Sequence, residues 1–248
     1  MVGSPVGGVG VVGKIVVGQY QVPAVAAVFA AVGHDVARQP LAVFARRGEE
    51  VATATTIHTD DGGLRFQHAP SLACMRVIAG EFGGRVLVAP EGLTTRPTTD
   101  KVRQAVFNSL HSMGVVEGAV VADLFAGSGA LGIEALSRGA EHCTFVERDR
   151  SALHALRTNI DTLGLAPRST VHATDVMAWV PAMRNIDIAF IDPPYAFDGW
   201  AELLGLLADV GLVVAEADDP VAAPPGWVQQ RSRRYGRTWV TLLERDGD

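Results

Sequence analysis

The chain has 248 residues, 48% of them hydrophobic, and a formal net charge of −6. That length accommodates one large domain, or a domain with an appendage, and the apolar share is ample for a core. The mildly acidic balance excludes a generally basic nucleic-acid coat, so any such contact must use local patches; the longest apolar run, Val22 to Val32, is about half of a membrane span.

Residues 1–74 read differently from the rest. Gly, Val and Ala dominate the first 33 positions, with little periodicity and few charges. A short helix near Pro23 to Val32 and a weakly paired strand over Leu41 to Arg46 are the local expectations. The stretch as a whole reads as a flexible or poorly packed extension, or as a start codon placed too early. Its one early cation, Lys14, and the lack of a cleavage pattern argue against a secretory signal. The cysteines, Cys74 and Cys143, have no paired spacing, which points to a reducing cytosol and to no metal site.

Residues 75–110 form a basic segment expected to contain a hairpin and a helix beginning near Lys101. Arg76, Arg85, Arg96, Lys101 and Arg103 stand there against Glu81, Glu91 and Asp100. Asp100 either pairs with Arg96 or caps the helix. Downstream, strands and helices alternate, the signature of a doubly wound α/β sheet. Strands are predicted over Val120–Leu124, Cys143–Glu147, Thr170–Ala173, Ile186–Ile191 and Leu212–Glu216. Helices are predicted over 130–138, 151–163 and 200–208, with a short one near 178–183. The chain closes on a hairpin, 227–233 and 238–244, around Tyr235-Gly236. Arg231, Arg233, Arg234 and Arg237 lie in it with no acid between them.

Two motifs carry chemistry. Asp123-Leu124-Phe125-Ala126-Gly127-Ser128-Gly129 is a Gly-x-Gly turn between an apolar strand and a helix, where backbone can approach a ligand closely. Asp192-Pro193-Pro194-Tyr195 stops the strand 186–191 abruptly, because proline cannot donate to a ladder. It offers an acceptor-only carboxylate, carbonyls that only accept and an aromatic face, which suits a flat ring bearing an amino group. Glu147, about twenty residues beyond the glycines, is placed to accept from ribose hydroxyls. Asp175, at the end of the third strand, is placed for an adenine amino group or for a helix N-cap. Gly127-Ser128-Gly129-Ala130-Leu131-Gly132 also satisfies the nicotinamide-type fingerprint. The Asp-Pro-Pro-Tyr loop argues against hydride transfer, since it brings no His, Lys or Tyr–Lys pair.

With Met75-Arg76-Val77-Ile78-Ala79-Gly80, Gly83-Gly84-Arg85 and Thr95-Arg96-Pro97-Thr98-Thr99-Asp100-Lys101-Val102-Arg103, these motifs resemble the RsmD family over residues 75–248. The resemblance implies a seven-stranded, mostly parallel methyltransferase sheet over 111–248 with an antiparallel final pair. It implies S-adenosylmethionine as cofactor and methyl transfer to the N2 amino group of a guanine in bacterial 16S rRNA, within an assembled small ribosomal subunit. The implied cofactor residues are Asp123, Phe125, Gly127, Gly129, Glu147 and Asp175; the implied catalytic loop is Asp192, Pro193, Pro194 and Tyr195. Arg76, Arg85, Arg96, Lys101, Arg103, Arg231, Arg233 and Arg234 are the expected RNA contacts. A cytoplasmic monomer is the default expectation. Alternatives are a DNA adenine-N6 or protein glutamine methyltransferase, or a non-catalytic RNA-binding assembly factor. Glutamine enzymes usually carry Asn in place of Asp192, and only about 60 residues separate the two motifs, too few for the target-recognition insertion of DNA enzymes.

Overall fold

The computed structural model describes residues 14–17, 20–23, 41–47, 50–60, 63–68, 75–90, 100–194 and 196–247. The chain divides into two compact units, Met1–Ala73 and Cys74–Asp248. In the first, β1 (Lys14–Val17) pairs antiparallel with β2 (Tyr20–Pro23). Strands β3 (Leu41–Arg47), β4 (Glu50–Asp60) and β5 (Gly63–His68) form an antiparallel meander. The strand predicted at Leu41 is β3; the helix predicted beyond Pro23 lies outside the described residues.

The second unit follows the alternation read from the sequence. Its elements are α1 (Asp100–Met113), β6 (Val120–Leu124), α2 (Ala130–Ser137), β7 (His142–Glu147), α3 (Arg150–Leu163) and β8 (Ser169–Ala173). They continue with α4 (Val176–Trp179), β9 (Ile186–Ile191), α5 (Trp200–Leu206), β10 (Val210–Ala217), β11 (Trp227–Tyr235) and β12 (Thr238–Arg245). The seven strands are ordered β11-β12-β10-β9-β6-β7-β8. Strands β6 to β10 are parallel, while β12 runs antiparallel to β10 and β11 antiparallel to β12. The order reverses between β6 and β9, which is where sheets of this kind open a crevice at their carboxyl ends.

Burial on both faces explains the near-continuous apolar runs of the central strands. Val121, Phe145, Ile188, Phe190 and Val214 pack on one face; Ala122, Leu124, Val146, Ala189 and Ile191 pack on the other. The first face is covered by α1 through Val106, Phe107 and Leu110, one stripe of helical spacing. Arg103 falls on that stripe. It is fully buried, not a surface cation, and this corrects its expected place among the RNA contacts. Its Nη2 donates to the Arg76 carbonyl and, at 3.0 Å, to Asp100 Oδ1, while its Nε lies 3.8 Å from Glu134 Oε2. Asp100 opens α1 and pairs with Arg103 one turn on. Burial lowers the Arg103 pKa, and the charges of Asp100, Glu134 and Glu216 oppose that shift.

The segment 75–90 crosses the same side of the sheet as an extended strap folded back on itself. Leu87 N donates to the Met75 carbonyl at 2.8 Å and Val77 N to the Arg85 carbonyl at 2.9 Å. Its bend docks on the end of α2. Ile78 N and Ala79 N donate to the Glu134 carboxylate at 2.7 and 3.1 Å, and Glu81 N donates to the Ser137 carbonyl at 2.8 Å. Gly80, at φ 84°, sits so close to α2 that a Cβ would lie 1.9 Å from the Ser137 carbonyl oxygen. No side chain fits there.

Candidate active site

The turn after β6 is fixed from below and from the side. Asp123 Oδ2 accepts from Gly132 N at 2.9 Å, tying the strand end to the first turn of α2. Ala126 N donates to the Val146 carbonyl at 3.0 Å and Gly129 N to the Ala126 carbonyl at 2.7 Å. Phe125 is held at φ 63°, a conformation that costs a residue with a Cβ about 1–2 kcal/mol. The surrounding bonds hold that strain in place, and the ring packs edge-on against Phe197 with centroids 5.3 Å apart. Gly129 has φ 83°, a left-handed conformation that favours glycine at the entry to α2, and a Cβ there would come within 2.4 Å of Leu156 Cδ1 on α3.

At the tip of β7, Glu147 gathers three backbone donors. Its Oε2 accepts from Gly127 N at 2.8 Å; its Oε1 accepts from Arg148 N at 2.7 Å and Asp149 N at 2.8 Å. A carboxylate has about four acceptor positions, so capacity remains for one further donor. Beyond β8, Asp175 caps α4 through Met177 N at 2.9 Å and pairs with Arg148 Nη1 at 2.8 Å. The N-cap weighed from the sequence is therefore present.

The register Leu124↔Ile191 sets the end of β9 beside the glycine turn. Asp192 and Pro193 are half-buried, Pro194 is exposed, and the Pro194 carbonyl accepts from Phe197 N at 2.9 Å, closing the corner. Phe197 also meets Trp200 edge-on at 5.5 Å. Tyr195 lies outside the described residues, as does Arg96.

These strand tips share one cavity of about 1080 Å³. It runs from Glu147 and Asp175, past Asp123, Phe125 and Gly127, to Asp192, Pro193 and Pro194, and on to Glu216 at the end of β10. Gly129 is the one described cofactor candidate that does not line it. Burial pushes the Asp123 carboxyl well above the ordinary range; the Gly132 N–H opposes this, and the charges of Asp192 and Glu147 add to it. Burial likewise raises the Cys143 thiol.

None of the described cations expected to contact RNA lines this cavity. Arg76, Arg85 and Lys101 belong to the strap and the start of α1; Arg231, Arg233 and Arg234 lie on the edge strand β11. Arg231 and Arg233 pair with Leu242 and Val240, whose side chains join the core face covered by α1, and Arg231 Nη1 donates to Ser109 Oγ at 3.1 Å. Arg234 alternates to the opposite face.

Sequence reasoning passed over three lining or supporting residues. Trp200 stands at the start of α5 against Phe197, and the short spacing after the double proline was its signal. Asn159 bridges from α3: its Oδ1 accepts from Val88 N at 2.7 Å, and its Nδ2 donates to the Val88 and Ser128 carbonyls, both at 3.0 Å. An asparagine on the apolar stripe of α3, 2% exposed, was its signal. Glu216 is a carboxylate at the end of an apolar strand, the same position as Glu147.

Comparison with known proteins agrees with this arrangement. The family described as "Conserved hypothetical protein 95" matches residues 75–244. A Bacillus subtilis (strain 168) protein named "Putative rRNA methyltransferase YlbH" is 40% identical over 186 residues, covering 70% of this chain and 100% of that one. The Escherichia coli (strain K12) "Ribosomal RNA small subunit methyltransferase D" is 34% identical over 181 residues, covering 69% and 90%. A solved structure titled "Putative methyltransferase yhhF from Escherichia coli" superposes with a TM-score of 0.61 at 35% identity, covering 71% of this chain and 99% of its own. The matches fall on the second unit, whose strand order and carboxyl-end cavity are those of a Rossmann-like methyltransferase. By their extent and identity, the chain belongs to the RsmD family of ribosomal RNA methyltransferases.

Proposed function

We propose that this protein transfers a methyl group from S-adenosylmethionine to the exocyclic N2 amino group of a guanine in small-subunit ribosomal RNA, with the assembled subunit as substrate. One observation carries the reading: a single cavity holds both the Glu147-braced glycine turn and, one strand over, the Asp192-Pro193-Pro194 corner.

The residues fit the cofactor. Gly127 leaves open space where a Cβ would stand, so backbone can face a ligand, and Glu147 keeps one acceptor position for a ribose hydroxyl. Asp175 and the neighbouring backbone serve the adenine end, Phe125 and Gly127 the methionine end, and Asp123 and Gly129 shape the turn. Bound there, S-adenosylmethionine would supply a methyl group whose bond to the positive sulfur breaks as the new bond forms, the sulfur leaving as a neutral thioether.

An exocyclic amine is a weak nucleophile because its lone pair is delocalised into the ring. The Asp192 carboxylate accepts one amino hydrogen and the Pro193 carbonyl the other, which draws the nitrogen toward a tetrahedral shape and aims its lone pair into the cavity. As the new C–N bond forms, the surplus proton leaves by way of Asp192. Rate comes mainly from this positioning. Tyr195 stacks on the base, worth roughly 1–3 kcal/mol, and Phe197 forms a second wall. A base must leave its helical stack to enter such a corner. Arg76, Arg85, Arg96, Lys101, Arg231, Arg233 and Arg234 contact phosphates around it. Residues 1–74 are dispensable for the chemistry, and the enzyme acts as a monomer.

Mass spectrometry of rRNA nucleosides from cells lacking the gene tests the reading. One N2-methylguanosine is expected to disappear and to return with the wild-type gene. An unchanged set of methylated guanines in those cells would overturn it, and RNA binding without any transfer would favour an assembly factor.

A further inference from the structure

The cavity extends past the residues needed for the cofactor and the Asp-Pro-Pro corner and reaches Glu216. In the parallel pair β9–β10, Ala215 is in register with Ile191, so Glu216 stands beside Asp192 at the tips of neighbouring strands. Such strands are about 4.8 Å apart, so side chains from the two tips can converge on one edge of a bound base. Glu216 is 3% exposed and still lines the cavity. Its charge supports Arg103, but that guanidinium already has Asp100 and Glu134 within ion-pair distance. At the same time the Glu216 side chain borders the cavity beside the Asp192 corner.

The Watson–Crick edge of guanine carries N1–H next to the N2 amino group, two donors side by side. Adenine carries an acceptor, N1, next to its N6 amino group. We propose that Glu216 accepts the N1–H of the target guanine beside Asp192 and thereby selects guanine over adenine. This rests on the guanine-N2 reading given above. A carboxylate facing adenine N1 would set acceptor against acceptor. A site built to accept a substrate N–H discriminates strongly against the analogue that lacks it.

The test uses the full-length protein, small ribosomal subunits from cells lacking the gene, and radiolabelled S-adenosylmethionine, with products identified as nucleosides. Glu216→Gln should lower single-turnover transfer about 100-fold and leave cofactor affinity by calorimetry unchanged. Glu216→Asp keeps a negative charge beside Arg103 but withdraws the carboxylate from the cavity, and should lower transfer about 10-fold in a normally folded protein. The pH profile separates recognition from support. Above the pKa of guanine N1 the wild type loses its donor, whereas the glutamine amide can donate to the deprotonated ring, so the gap between the two should narrow. Transfer by both variants within about threefold of wild type overturns the assignment. So does a loss that keeps one ratio at every pH, or one that comes with lost cofactor binding. If wild-type enzyme yields no methylguanosine at all, the guanine reading fails first, and this inference with it.

Discussion

The two ends of the cavity are stiffened by opposite means. At the cofactor end, a carboxylate collects backbone donors: Glu147 holds Gly127, Arg148 and Asp149. At the Asp192 end, donors are removed: Pro193 and Pro194 have no N–H, and the corner is closed by the Phe197 N–H on the Pro194 carbonyl. The first end is a hydrogen-bonded cup that a polar ligand can share. The second is a rim of acceptors that only a donor-bearing ligand can satisfy. Preorganisation is thus separable between the ends, and mutations should separate it.

The largest effect is expected from Asp192→Ala, which removes the acceptor but touches none of the cup. Transfer should fall on the order of 10²–10³-fold while calorimetry shows cofactor affinity intact; full activity would remove the loop from the chemistry. Glu147→Ala does the reverse. It strands three backbone N–H groups and should cost about 1–3 kcal/mol, read as weaker cofactor binding and a lower melting temperature. An unchanged dissociation constant would mean that the cup does not hold the ligand.

Asp123 gives a smaller, pH-dependent effect. Its folded-state pKa is raised, so the folded protein keeps a proton that the unfolded chain releases near pH 4. Its contribution to stability is full below about pH 4 and is lost as pH climbs toward and through the folded value. Asp123→Asn, whose amide oxygen can still accept from Gly132 N, should flatten that decline in melting temperature. The smallest effect belongs to the edge. Arg233→Ala should leave cofactor binding alone and reduce the salt dependence of subunit binding by about one phosphate contact.

Much of this was legible in the sequence. The strands β6, β7 and β9 were readable because burial on both faces leaves near-continuous apolar runs, and the prolines mark where β9 must stop. Asp123, Glu147 and Asp192 were readable because they end such runs. Arg103 was misassigned because charge was given more weight than periodicity. It sits three, four and seven residues before Val106, Phe107 and Leu110, so helical spacing alone puts it on the buried stripe. Glu134 is equally concealed, in a helix with seven of its eight residues buried. Its partners Ile78 N and Ala79 N are tertiary, and no local pattern announces them, whereas Arg138, four residues on, is a local helical pair. The same holds for the strap, whose course depends on the approach of Gly80 to Ser137.

Asn159 makes the strap and the glycine turn mechanically one piece. A single amide holds the carbonyls of Val88 and Ser128, so a shift of the strap and a shift of the glycine turn bear on the same side chain. Any such linkage is reciprocal by thermodynamic necessity. If the strap engages RNA as proposed, whatever factor that engagement adds to the grip on the methyl donor, a loaded donor returns to the grip on the RNA.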